Sequence, residues 1–247
     1  MKTYRLLGIL AAAATAAAPA IAHAQLGTMS YQYFSVANNS SNPDFQHGID
    51  GSIISGLVNT TLTAGLPTVS GFGATYAGPS GPITQVNGAG ELQWWTPGAN
   101  ITADATGTIA VPFTGVSSHF FPTGQTSNAN FFRTAIFSGN ISLANSATYN
   151  FSLGSDDDAW LFIDGMLVGD NGGIKSGSPT VFNTGSLTAG SHSVDLFFAD
   201  RHVTESGITF APEFTVSTIP EPGSMTLVAT GLVGVFGMVR RRRKSVV

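Results

Sequence analysis

Residues 149–168 constrain the fold of this chain more tightly than any other stretch. Tyr149, Phe151 and Leu153 alternate with Asn150 and Ser152, the period-2 pattern of a half-buried strand. Trp160–Ile163 is a continuous apolar run of aromatic and branched side chains, which suits a strand buried on both faces. Asp164-Gly165 then turns the chain into Met166–Val168, a hairpin signal because Gly accepts positive φ without steric cost. Between the two strands stand Asp156, Asp157 and Asp158. Three adjacent carboxylates on a short connection repel one another, so the cluster either stays solvated or holds a hard cation. Asp164, Asp170 and Asn171 follow within one hairpin, and Asp200 closes a later strand. Ca2+ takes about six to eight oxygens from carboxylates, amides and carbonyls at flexible angles, and loops at one rim of a sandwich can deliver them. The order is not that of an EF-hand, which alternates its ligands and ends on Glu. Calcium at a β-rim is the favoured reading, and a solvated acidic turn is the alternative.

The remaining body reads as β throughout. Its 247 residues suffice for one large or two small β domains, and 30 glycines with only 10% charged residues favour short strands and many turns. The absence of Cys excludes disulfides and thiolate-bound metals. Tyr31–Val36, Leu92–Trp95, Ile109–Phe113, Thr180–Asn183 and Ser191–Ala199 read as strands, while residues 64–91 read as a long loop or weak strand pair. Arg133–Phe137 and Asn140–Leu143 suggest a hairpin across Ser138-Gly139. Ile208–Val216 is the last strand, and Pro212 within it argues for an edge or a bulge. No amphipathic helix of ordinary length is visible. The fold class is therefore all-β, an antiparallel, jelly-roll-like sandwich. Trp94 and Trp95 are the candidate sugar-stacking platform, since exposed aromatic faces suit apolar sugar faces; core packing is the other reading. His119, His192 and His202 are too dispersed for a metal triad. Arg201 is placed to pair with Asp200, Asp164 or Asp158.

The ends of the chain carry targeting signals. Residues 1–24 form a secretory signal helix: Lys2 and Arg5 make the positive start, Leu6–Ala18 the apolar stretch, and Ala22-His23-Ala24 the cleavage site. At the other end, Pro220-Glu221-Pro222 precedes the apolar run Met225–Val239 and five cations, Arg240–Lys244. The apolar run approaches the length of a transmembrane helix, and the cations stay cytoplasmic by the positive-inside rule. These three features in this order, over residues 219–247, resemble the PEP-CTERM sorting signal of Gram-negative bacteria. The resemblance implies recognition and processing by a membrane protease, an exosortase. The C-terminal helix would then anchor the chain in the inner membrane only transiently, before release to the cell surface or extracellular matrix. Between residues 25 and 223 three basic residues face fourteen acidic ones, a net charge of −11. Such a surface repels phosphate backbones, which excludes nucleic acid as a partner, and it attracts divalent cations.

A second resemblance covers the body. Asn42-Pro43-Asp44-Phe45, Trp94-Trp95, His119–Pro122, Asn130–Phe132, Asp156–Gly165, Gly172-Gly173 and Leu196–His202 occur in the order typical of the fibro-slime domain. That family is similar to the protective-antigen-type sandwich of bacterial toxins, glycosidases and fungal flocculins. In the flocculin branch an adjacent Asp pair joined by a cis peptide holds Ca2+, and sugar hydroxyls complete the shell. Carried over, the pair is Asp156-Asp157, with Asp158, Asp170 and Asn171 as further metal ligands and Asp164 left to the hairpin. The chain departs from the family at Asn42, where His is usual, and at Ile174 after Gly173. The domain therefore runs over 25–218, between the signal peptide and the sorting signal. The expected function is calcium-dependent binding of a glycan or extracellular polysaccharide by an exported adhesion module. A structural matrix protein with a purely structural cation is the alternative. An enzyme is not expected: glycosidases place two carboxyls about 5–9.5 Å apart across a sugar, which adjacent aspartates in one loop do not guarantee.

Overall fold

The structure is a computed structural model that describes residues 27–63, 65–115, 131–202 and 205–218. The signal helix expected in 1–24 and the sorting segment with Pro220, Glu221, Pro222 and its transmembrane helix lie outside the described residues. Among the described residues no helix is long and apolar enough to cross a membrane.

Among the described residues eleven strands form two sheets. The larger has the order β2 (Ile101–Val111), β1 (Gly27–Ala37), β11 (Val216–Ser217), β4 (Phe131–Leu143), β9 (Gly190–Ala199), β6 (Asp158–Ile163), β7 (Met166–Asn171). The smaller has the order β3 (Phe113–Gly115), β10 (Gly207–Pro212), β5 (Asn150–Asp156), β8 (Thr180–Asn183). Every pairing is antiparallel except the short contact of β1 with β11.

The alternation along the central strands builds two cores, one on each face of the larger sheet. Ala159, Leu161 and Ile163 of β6, with Val194, Leu196 and Phe198 of β9, meet Phe151, Leu153, Ile208 and Phe210 of the smaller sheet. Their neighbours Trp160, Phe162 and Phe197 point the other way, under a third layer made by residues 38–100. That is why β6 is buried at all six positions, as its unbroken apolar run requires. The third layer has little regular structure, only isolated bridges and a short 3-10 turn at Gly73–Thr75. A buried carboxylate, Asp44, and a half-buried one, Asp50, pin it instead. Asp44 accepts hydrogen bonds from the Thr84 and Gln85 amides, the Thr84 hydroxyl and the Trp94 indole, at 2.8–2.9 Å. Asp50 accepts from the Tyr76 hydroxyl and the Ser80 and Ile174 amides.

The structure revises several element boundaries. Ser138-Gly139 is not a turn but the middle of the thirteen-residue β4. Gly139 is small for a tertiary reason: a Cβ there would lie 2.5 Å from Val216 Cγ1 and 3.0 Å from the Ser217 carbonyl. Ile109–Phe113 is divided at Pro112, where the chain leaves β2 in one sheet for β3 in the other. β10 ends at Pro212, and the chain again changes sheet to form β11. Leu92–Trp95 makes only an isolated bridge, at Leu92, within the third layer. The Asp164-Gly165 hairpin stands, with both residues at positive φ (50° and 73°), as a type I′ turn demands. Gly139→Val is expected to lower stability by about 1–3 kcal/mol through overpacking. Chemical denaturation reads this directly, and a variant as stable as the wild type contradicts the close approach of β11.

Candidate functional site

The acidic triplet lies where the chain passes from one sheet to the other. β5 ends at Asp156 in the smaller sheet, β6 begins at Asp158 in the larger, and Asp157 is the single residue between them. The peptide bond joining Asp156 to Asp157 is cis. This is a strand-to-strand crossing rather than a loop, so two of its carboxyls are sealed inside: Asp157 is 1% exposed and Asp158 is fully buried. Asp156 is half-buried and lines a cleft at the rim.

Each buried carboxyl is held by donors from neighbouring elements. Asp157 accepts from the Lys175 amide (3.0 Å) and the Arg201 amide (2.7 Å). Asp158 accepts from the Gly173 amide and from Arg201 Nε, both at 2.6 Å. Arg201, itself fully buried, also donates Nη1 to the Asp44 carbonyl at 3.1 Å and lies 4.9 Å over the Trp94 ring. Of the three partners expected for Arg201, Asp158 is the one with which it forms an ion pair.

Lys175 is the residue that sequence reasoning missed. Its ammonium is buried and surrounded by oxygens: the Asp157 carbonyl at 2.5 Å, the Ser155 and Asn171 carbonyls at 3.1 Å, and Ser155 Oγ at 3.3 Å. A signal was present, since Lys175 is one of only three cations between residues 25 and 223. Burial lowers its pKa, against the raising effect of Asp158, Asp157 and Asp156. The acids respond in the opposite direction. Burial pushes Asp157 up to about 8, reinforced by the charges of Asp158 and Asp156. Burial likewise raises Asp156 to about 6, with Glu205 adding to the rise.

The expected metal ligands divide into two groups. Asp158 is committed to Arg201 and the Gly173 amide. Asp170 accepts from the Gly56 amide (2.7 Å) and the Trp160 indole (3.1 Å), so each oxygen of both carboxylates already accepts one hydrogen bond, as do those of Asp157. Among the described residues no group of three or more His, Asp or Glu side chains is arranged as a metal site. Asp156, Asp157 and Asn171 are the side chains whose donor chemistry fits a hard cation. The first two repel each other. Asn171 donates Nδ2 to the Leu153 carbonyl, while its buried Oδ1 has no hydrogen-bond partner among the described residues. An amide carbonyl oxygen is the kind of donor calcium accepts.

Trp94 and Trp95 are 0% and 3% exposed. Trp94 donates to Asp44 and Trp95 to the Phe198 carbonyl, and both rings pack in the core under the third layer. Neither presents a face to a sugar; the core reading of this pair is the one the structure has. The exposed apolar side chain beside the acids is Ile49 (57% exposed), which lines the rim cleft of about 250 Å³ with Asp156, Asp157, Lys175, His202 and Glu205.

Comparison with known proteins places these features in context. Residues 122–221 match the PA14 domain, and residues 218–243 match the PEP-CTERM protein-sorting motif. Protein psiE of Dictyostelium discoideum is 41% identical over 61 residues, which are 24% of this chain and 12% of that protein. Among solved structures, the PA14 sugar-binding domain from an RTX adhesin is 14% identical with a TM-score of 0.36, over 76% of this chain and 93% of that one. The A domain of epithelial adhesin 9 from Candida glabrata, solved in complex with Galb1-3GlcNAc, is 12% identical with a TM-score of 0.37, over 75% and 82%.

Asp156 and Asp157 hold their protons to higher pH when folded than when unfolded, where an Asp titrates near pH ~4. The folded state therefore binds more protons between about pH 4 and 8, and stability falls as pH rises through that window. Without divalent cations the melting temperature is expected to be higher at pH 5 than at pH 8, and Asp157→Asn to flatten the upper half of the curve. A wild-type melting temperature that is level or rises over this range contradicts the assignment.

Proposed function

We propose that this chain is an exported surface or extracellular-matrix protein, sorted by an exosortase, whose fibro-slime-type sandwich binds glycan at the acidic rim with calcium. The sorting motif at 218–243 supports the export route and the exosortase as partner, with the C-terminal helix as a transient anchor in the inner membrane before processing. The PA14 match supports a carbohydrate-binding rather than a catalytic role.

The observation that carries the reading is the composition of the rim cleft. Asp156 and Asp157 line it beside the exposed Ile49, so hydroxyl acceptors and an apolar surface meet in one depression. A sugar ring needs that pairing, because it offers hydroxyls at its edge and C–H groups on its face. Asp156, Asp157 and Asn171 would hold the calcium, which supplies a positive charge that sugar hydroxyls can ligate. Lys175 and Arg201 hold the carboxyl pair from beneath, through the amide of each on Asp157.

Calorimetric titration with calcium is expected to show saturable binding that falls at least about ten-fold in Asp156→Asn, equivalent to ~1.4 kcal/mol. A glycan array should lose its signal when a chelator is added. Calcium binding without any glycan signal would favour the structural-matrix alternative. Absence of calcium binding would remove the metal from the account.

A further inference from the structure

A second, larger depression lies on the other side of Asp156. It has a volume of about 420 Å³ and is lined by Thr114, Asp156, Ser178, Glu205, Ser206 and Thr209, with the exposed Pro179 as its apolar wall. Asp156 and Glu205 line both this cleft and the rim cleft, so the two depressions adjoin across these residues.

Three features mark the second cleft as a binding site. Its volume is in the range of small-molecule pockets, about 300–1,000 Å³, and exceeds that of the rim cleft. Its walls are fixed: a Cβ on Gly154 would lie 2.8 Å from Pro179, so the turn carrying Ser178 and Pro179 is seated on the backbone of β5. And Ser206, only 6% exposed, is a lining residue whose buried hydroxyl has no hydrogen-bond partner among the described residues. An orphaned buried hydroxyl is costly to the protein alone and is satisfied when a ligand supplies the partner.

The lining selects the ligand class. Four hydroxyl side chains and two carboxyls, set against Pro179, match a sugar, with hydroxyls at its edge and C–H groups on its face. Glu205 at the junction, which is not among the calcium ligands, disfavours uronic-acid or sulfated chains by like-charge repulsion. We propose that this cleft is a second saccharide subsite, so that the protein holds a neutral oligosaccharide across Asp156 and Glu205 rather than a single terminal sugar. The proposal rests on the glycan reading above and adds to it the length and charge of the ligand.

The test is a length series on the full chain: neutral gluco-, galacto-, manno- and N-acetylglucosamine oligosaccharides of one to six units. A series that binds is expected to gain about ten-fold in affinity from monosaccharide to trisaccharide. Ser178→Trp, on the exposed turn at the cleft wall, should abolish that gain and leave monosaccharide binding unchanged. Ser206→Ala should weaken the trisaccharide several-fold, with melting temperature confirming that both variants fold. Equal binding of monosaccharide and trisaccharide by the wild type overturns the subsite and leaves the glycan reading intact. So does a length gain that survives in Ser178→Trp and also in Thr209→Trp. A protein that binds no saccharide of any length overturns both.

Discussion

A guanidinium sealed from water must be answered by charge and hydrogen bonds, and the arrangement around Arg201 depends on that constraint. Its Nε meets Asp158 at the start of β6, its amide meets Asp157 at the sheet crossing, and its Nη1 meets the Asp44 carbonyl in the third layer. One residue thereby joins the end of β9, the passage between the two sheets and the irregular cover over residues 38–100. Breaking a buried pair of this kind by removing one partner typically costs about 3–5 kcal/mol, because the other charge is left uncompensated.

Lys175 completes the arrangement from the opposite side. Its ammonium gathers the carbonyls of Ser155, Asp157 and Asn171, which belong to β5, the crossing and β7. With Arg201 and Lys175 beneath, Asp157 and Asp158 are fixed in position, and Asp156 is left to line the two clefts. The division of labour follows from burial. Asp158 is buried away from the clefts and braces the crossing, while Asp156 and Asp157 line the rim cleft.

Much of this was legible where the determinants are local. The alternation in 149–153 and 191–199, the apolar run 160–163 and the Asp164-Gly165 turn each specify their own backbone, and the structure has them. Readings failed where the cause lies across the fold. Ser138-Gly139 has the composition of a turn, yet Gly139 is small because β11 crosses it. Trp94 and Trp95 lie in a segment without a regular ladder, so strand alternation says nothing about which way they face; indole hydrogen bonds to Asp44 and Phe198 turn both inward. The hydrogen bond that the Gly56 amide of the third layer donates to the Asp170 carboxylate, from 114 positions away, is likewise announced by no local pattern. The oxygen cage of Lys175 consists mainly of backbone carbonyls, which leave no trace in side-chain sequence.

The most direct measurement is a double-mutant cycle between Arg201 and Asp158, using Arg201→Met, Asp158→Asn and the double variant in chemical denaturation. If the buried pair organises the crossing, each single change costs about 3–5 kcal/mol and the double costs less than the sum by at least ~2 kcal/mol. Additive losses, or single variants as stable as the wild type, would contradict the account.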